Sequence, residues 1–427
     1  MAGRSPSGKR SGYPFSVITA EMERETLVER FWKRNLVLMW IGVFLCGMSY
    51  SISVPFLSLF IVNDLGVETH VELWAGIAFG ITFLAAALIS PYWGSLSDKY
   101  GRRPMLIRSA LSLSVVYVLS GLVRNPYELI AVRILTGLMS GYVPSAIALI
   151  ATNTPDRKVG YALGVMSTAT AAGTVIGPLV GGSLSKFFGY RESFFLSGLI
   201  VLFCALFAIF GVKEQNFDRN RVRSRVSDDL KLAWGNRKLM KQLAIASFVT
   251  FSVMLLEPLL TIYVLNMGLS HNDASLSSGI IFSAVGIATI IAAPQWGKIG
   301  EKIGYRNTLM IGLVGGGIGN VLQMLFHNVV SFGVLRFVYG LFFAAVYPSL
   351  NALIVKATSS DFRGRAFSLN QSANQVGTLV GPITGGLLAG WMTIPSVFVL
   401  NGLLLLVVAV TLWVGMGKEK ASGGSTD

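Results

Sequence analysis

Apolar stretches of about 20 residues follow one another along nearly the whole chain, each the length of a membrane-crossing helix. That recurrence leaves few folds open. Lipid supplies no hydrogen bonds, so only helices and closed barrels span it. The stretches are too long for strands and lack period-two alternation, which excludes a barrel. Charged residues make up 13% of the chain, against about 25% in soluble domains. The expected class is an all-α membrane protein. Spans are predicted at 36–62, 74–97, 104–124, 128–152, 160–186, 193–213, 240–266, 275–298, 308–327, 330–356, 364–391 and 395–416.

The formal net charge of +14 would suit nucleic acid if it formed a surface patch. Its distribution says otherwise. Only Arg124, Lys186 and Arg191 fall on connections at one side of the predicted bundle, here called the far face. Arg133 and Arg336 fall within spans. The other 30 of the 35 lysines and arginines fall on the opposite, basic face. Basic connections stay in the cytoplasm, so both termini are expected there, in a multi-pass protein of the cell membrane. The charge orients the chain and meets anionic lipid, and a nucleic-acid partner is excluded.

Residues 1–35 are polar and have no short apolar core ahead of a small-residue cleavage site, so no cleaved signal peptide is expected. Cys46 and Cys204 fall within spans at no metal or redox spacing. His70, His271 and His327 all fall toward the far face, and no metal or nucleophile constellation supports an enzyme. No Gly-x-x-x-x-Gly-Lys-Ser/Thr loop is present, so ATP is not the expected energy source.

The chain repeats itself. Gly94-Ser95-Leu96-Ser97-Asp98-Lys99-Tyr100-Gly101-Arg102-Arg103 returns 203 residues later as Gly297-Lys298-Ile299-Gly300-Glu301-Lys302-Ile303-Gly304-Tyr305-Arg306. At that offset Pro55 pairs with Pro258, Arg133 with Arg336 and Gly137 with Gly340. At 204, Pro144 pairs with Pro348, and Gly173, Gly177, Pro178, Gly181 and Gly182 pair with Gly377, Gly381, Pro382, Gly385 and Gly386. Parallel repeats of six spans, related by an axis along the membrane normal, describe the major facilitator architecture, with a substrate cavity between the halves. The predicted organisation is a cytoplasmic segment 1–35, a first half 36–213, a cytoplasmic linker 214–239, a second half 240–416 and a tail 417–427. A short surface helix is predicted near 227–234.

Three motifs carry mechanism. The first is the turn after Asp98, where Gly101 suits a positive φ and Pro104 the first turn of the next helix. An acid at the negative end of a helix dipole needs a compensating partner. Arg102, Arg103 or the start of the helix near Gly364 would serve. Gly94, Asp98, Gly101, Arg102 and Arg103 are therefore read as a conformational latch, with Glu301 and Arg306 as a weaker copy. The second is Arg133, a charge within the fourth span, where position marks function; a coupling role and snorkelling to the far face are both open. The third is Gly173, Gly177 and Gly181, one face of the fifth span without side-chain volume, beside the helix-bending Pro178.

These residues resemble a known family. Gly94 to Arg103 matches the loop 2–3 signature of the major facilitator superfamily, and Arg133 with Gly137 its fourth-span motif. Gly173–Gly182 is similar to the fifth-span signature of drug–proton antiporters. Trp32-Lys33-Arg34-Asn35-Leu36, Pro55-Phe56-Leu57, the stretch Val143–Ala151 and Ala162-Leu163-Gly164 resemble the MdtG/PmrA-type multidrug efflux family. The resemblance implies a twelve-span exporter of amphipathic drugs, driven by protons, with no cofactor and working as a monomer. The alternative is a facilitator of the same fold that moves a physiological metabolite.

Many drug–proton antiporters carry an acid in the first span, and here Cys46 to Tyr50 hold none. The clearest buried acid is Glu257 in the seventh span, at the repeat position of Val54. Away from water it suits reversible protonation, so proton coupling is assigned to Glu257, Arg133 and Asp98. Asn370, Gln371, Asn374 and Gln375 must face a cavity or neighbouring helices. Met48, Phe248, Phe251, Glu257, Tyr347, Asn370 and Asn374 are the expected cavity lining.

Overall fold

The computed structural model describes residues 15–214, 234–359 and 362–421. The first half comprises α1 (Phe15–Ile52), α2 (Leu57–Asn63), α3 (Val71–Tyr100), α4 (Arg102–Leu122), α5 (Pro126–Met139), α6 (Tyr142–Asn153), α7 (Asp156–Phe187) and α8 (Tyr190–Phe210). The second comprises α9 (Arg237–Leu265), α10 (His271–Ile303), α11 (Tyr305–Leu322), α12 (Val329–Phe343), α13 (Val346–Lys356), α14 (Arg363–Trp391) and α15 (Ile394–Ala421). No strand occurs among the described residues. Most of the predicted linker, residues 215–233, lies outside them, and with it nearly all of the short helix predicted near 227–234.

Eleven segments of the described residues are long and apolar enough to cross a membrane. The twelfth predicted span is α14. Its 29 residues rise about 43 Å, so length is sufficient, and its four amides are what lower its apolarity.

Three predicted spans are broken helices. The stretch 36–62 stops at Ile52 and restarts at Leu57, because Pro55 has no N–H to continue the ladder. In the fourth span the helix stops at Met139, passes through Gly141 at φ +126° and restarts. Pro144 leaves the Ser140 carbonyl without its helical donor. Arg108 Nη2 donates to that carbonyl at 3.1 Å, and Trp93 Nε1 and Ser109 Oγ donate to those of Leu138 and Met139. The tenth span breaks likewise between α12 and α13, ahead of Pro348, and Trp296 Nε1 donates to Leu341 at 2.7 Å. Trp296 and Leu341 are the repeat positions of Trp93 and Leu138, so the duplication extends to individual hydrogen bonds.

The halves meet through two equivalent crossings. Gly76 of α3 lies against the Pro382 carbonyl and Gly386 of α14; Gly279 of α10 lies against the Pro178 carbonyl and Gly182 of α7. Within each half the other motif glycines seat a different pair. Gly173, Gly177 and Gly181 bring α7 onto α1, and Gly377, Gly381 and Gly385 bring α14 onto α9. Without a hydrophobic drive between helices in lipid, such close van der Waals contact is what holds a bundle together.

The two halves are joined from mid-membrane to the far face. Ser58 Oγ donates to Pro258 O at 3.0 Å, Ser283 Oγ to Val175 O at 2.6 Å, and Lys186 pairs with Asp273 at 2.8 Å. Toward the basic face they part. From 86 to 97, three turns of α3, no described residue is buried, whereas a helix packed on its neighbours keeps a buried stripe. This stretch of α3 is therefore unpacked on the basic-face side of the contacts that join the halves.

Candidate functional site

The ionisable groups at the heart of the bundle lie along the seam between the halves. Glu257 sits on α9 eight residues before its far end, about 12 Å from it, and is half-buried. It lies within electrostatic reach of Arg336 on α12, Tyr347 on α13 and, across the seam, Tyr50 on α1. The next residue, Pro258, is the one whose carbonyl takes the Ser58 hydrogen bond. Tyr50 in turn reaches Arg133, and its ring meets Phe83 edge-on at 5.9 Å. The order along the seam is Arg133, Tyr50, Glu257, Arg336.

The two arginines are not equivalent despite the repeat. Arg336 is 7% exposed and lies within electrostatic reach of Glu257, with its guanidinium 5.1 Å from the Tyr339 ring. Arg133 is 4% exposed; the titratable groups that act on it are the phenols of Tyr50 and Tyr117, not an acid, and its Nε and Nη2 have no hydrogen-bond partner among the described residues. The asymmetry follows from position 54, where valine stands in the place of Glu257.

A polar thread runs from this seam to α14. Tyr347 lies beside Thr250, and Thr250 Oγ1 donates to Asn374 Oδ1 at 3.1 Å. Asn370, one turn away, is buried with Oδ1 unpartnered among the described residues. Phe248 and Phe251 lie 5.9 Å apart, and Tyr347 meets Phe343 edge-on. The structure thus gathers Glu257, Tyr347, Asn374, Asn370 and the two phenylalanines on the second-half wall. Met48 is buried, with its backbone against Gly173 and Gly177.

At the basic face the predicted latch takes a definite form. Gly101 joins α3 to α4 at φ +99°, a conformation that favours glycine. The backbone N–H groups of Arg102 and Arg103 each donate to a Glu214 carboxylate oxygen at 2.9 Å, so an acid caps the positive end of α4. Arg103 Nη2 donates to Ile209 O at 2.7 Å and caps the negative end of α8. In the second copy Gly304 has φ +89° and Arg306 Nη2 donates to Leu412 O at 3.1 Å, the repeat position of Ile209. Glu301 is exposed, and Gly94 sits half-buried near the end of α3. The side chain of Asp98 lies outside the described residues.

Three contributors escaped the sequence reading. Glu214 is 111 residues from the turn it caps, and nothing local marks it. Tyr50 sits between Ser49 and Ser51 in the first span, and no local pattern ties it to a charge 207 residues away. Thr250 stands in an apolar span, and no local pattern distinguishes it.

A helical bundle of two repeats, with a seam of buried charge and its halves joined toward the far face, has the build of a membrane transporter. The family model of the Major Facilitator Superfamily matches residues 39–288 and 274–426. The chain belongs to that superfamily, and is a transporter rather than an enzyme. Relatives in Escherichia coli named "Multidrug resistance protein MdtG", the K12 strain DH10B among them, are 34% identical over 392 residues, covering 91% of this chain and 96% of theirs. Among solved structures, the nucleoside transporter NupG superposes with a TM-score of 0.76 at 14% identity, over 89% of this chain and 99% of its own. A bacterial homologue of the human lysosomal transporter Spinster, inward-facing and unoccupied, gives 0.72 at 15%, over 90% and 96%. At such identities the structures share the fold alone.

Proposed function

We propose that this protein exports amphipathic small molecules across the cell membrane by alternating access, in exchange for protons. The observation that carries the reading is Glu257. It is half-buried in the seam, within electrostatic reach of a cation of its own half and a phenol of the other, so its charge acts on both halves. A proton arriving from the far face neutralises the carboxylate, and one leaving toward the basic face restores it. Each event changes the electrostatics of the surface along which the halves rock. The similarity to proteins named for multidrug resistance supports drugs as the cargo. The aromatic and amide wall of α9, α13 and α14 supports a broad, adaptable pocket.

In this reading the basic face and both termini are cytoplasmic, in line with the charge bias, the halves are 36–213 and 240–416 joined by the linker 214–239, and one copy of the chain suffices. Arg133 and Asp98 assist coupling. Inside-out vesicles with an acidic lumen should accumulate ethidium and a fluoroquinolone, and an uncoupler should abolish the uptake. If no member of such an amphipathic panel accumulates, the reading fails.

The latch is expected to act unequally. The first turn has Glu214 on its backbone and the full charge set Asp98, Lys99, Arg102 and Arg103, whereas the second has Tyr305 in the place of Arg102. Asp98→Asn and Glu214→Gln should each slow transport more than Glu301→Gln at equal expression. The reverse order in a vesicle assay would count against this ranking.

A further inference from the structure

We propose that Lys186, Asp273, Ser185 and Ser275 form a one-sided clasp that holds the far gate shut. The proposal rests on the alternating-access part of the reading above and is independent of its proton part. Lys186 closes α7 and Asp273 opens α10, so the two belong to different halves. Lys186 Nζ lies 2.8 Å from Asp273 Oδ1. Asp273 is held in place by its own helix start, where Ser270 Oγ donates to its Oδ2 at 2.7 Å and accepts from its backbone N–H. Directly beneath, the hydroxyls of Ser185 and Ser275 lie 2.5 Å apart and are fully buried. Ser185 Oγ also reaches the Gly182 carbonyl of its own helix at 3.2 Å, so parting the halves costs Ser275 its partner, and that hydroxyl is left unsatisfied unless water enters.

The pseudo-symmetric crossing of α3 with α14 has no such set. The repeat positions of Ser185 and Lys186 are Ala389 and Gly390, and those of Asp273 and Ser275 are His70 and Glu72. There Gly386 simply meets the Glu72 backbone carbonyl and Leu73 Cα. Two crossings related by symmetry thus differ in chemistry: one can slide on bare backbone, the other must break an ion pair and a buried hydrogen bond. Opening of the far gate is controlled on the α7–α10 side, with the α3–α14 side acting as its bearing. The ion pair is partly exposed, and such pairs shift an equilibrium by about 1.5- to 5-fold. That suffices to matter, because a transporter must populate both states.

Two measurements test this. The first uses S185C/S275C in a C46A/C204A background, with a protease site placed within 215–233 so that the halves separate on a gel unless bridged. Hydroxyl oxygens 2.5 Å apart approach the roughly 2.05 Å of a disulfide. Oxidation should bridge the halves and stop substrate exchange, and reductant should restore it. Exchange at the unbridged rate in fully bridged protein would overturn the proposal. The second places spin labels at Arg124 and His327, one on each half at the far face. K186D and D273K should each raise the long-distance population about 1.5- to 5-fold, and K186D/D273K should return it to the parent value. Unchanged single variants, or a double no better than the singles, would overturn it equally. Loss of proton-driven uptake in a protein that still exchanges substrate would count against Glu257 coupling and leave the clasp standing.

Discussion

Glu257→Gln should reduce proton-driven accumulation in vesicles to the level of vesicles without the protein, while energy-independent exchange of substrate continues. The amide keeps the size and hydrogen-bonding capacity of the carboxyl but cannot take up or release a proton. If Glu257 carries the coupling proton, the variant is a protein that still rocks but has lost the link between rocking and the gradient. The surroundings sharpen this. Arg336 then lacks its acid, so the seam holds a permanent positive charge, as the first half already does at Arg133. Glu257→Asp should retain partial coupling, because it titrates but ends one methylene short of Arg336 and Tyr50. Wild-type accumulation by Glu257→Gln would remove Glu257 from the mechanism and leave Asp98 and Arg133 as the remaining candidates. Tyr50→Phe offers a milder companion. It removes the hydroxyl on which both Arg133 and Glu257 act and should move the pH dependence of transport while sparing exchange at a fixed pH.

Much of this architecture was legible because lipid is a demanding solvent. A span must be long, apolar and helical, so twelve spans, their order and their duplication can be read from the chain itself. Local backbone chemistry was less visible. The breaks at Pro55, before Pro144 and before Pro348 fall inside continuous apolar stretches. Pro91, Pro178, Pro258, Pro294 and Pro382 sit within unbroken helices, so a proline alone does not decide between kink and break. The site was half legible. Buried charges stand out in an apolar sequence, which is why Arg133, Arg336 and Glu257 could be singled out. Their partners could not be, because Tyr50 reaches Glu257 across 207 positions and Glu214 reaches the first turn across 111. Such pairings are set by how the helices cross, which no local pattern encodes.

The glycines of the fifth span give the clearest case of a crossing encoded in residue size. Gly181→Ala should cost stability at or beyond the upper end of overpacking, about 3 kcal/mol, whereas Gly164→Ala on the same helix should be neutral or stabilising. A Cβ at Gly181 would lie 1.9 Å from the Ile52 carbonyl oxygen and 2.7 Å from its carbon. Those are backbone atoms at the end of α1, next to the break before Pro55, and they cannot turn aside as a side chain can. Relief requires α7 to move off α1, which also strips the packing of Gly173 on Phe44 and Gly177 on Met48. Around Gly164 nothing lies within 4 Å, and alanine there gains about 0.5–1 kcal/mol of helix propensity. Thermal unfolding of the two variants in detergent checks the pair. Equal melting temperatures would mean that α7 and α1 do not meet as described. Gly385→Ala extends the test to the second half, where the Cβ would lie 2.0 Å from the Leu255 carbonyl oxygen. Its cost should match that of Gly181→Ala, because the duplication preserved the crossing as well as the residue. Gly182→Ala should behave differently from both. It faces Ser275, Leu276 and Gly279 of the other half, so the added methyl pushes on the far gate, opening it while leaving each half folded.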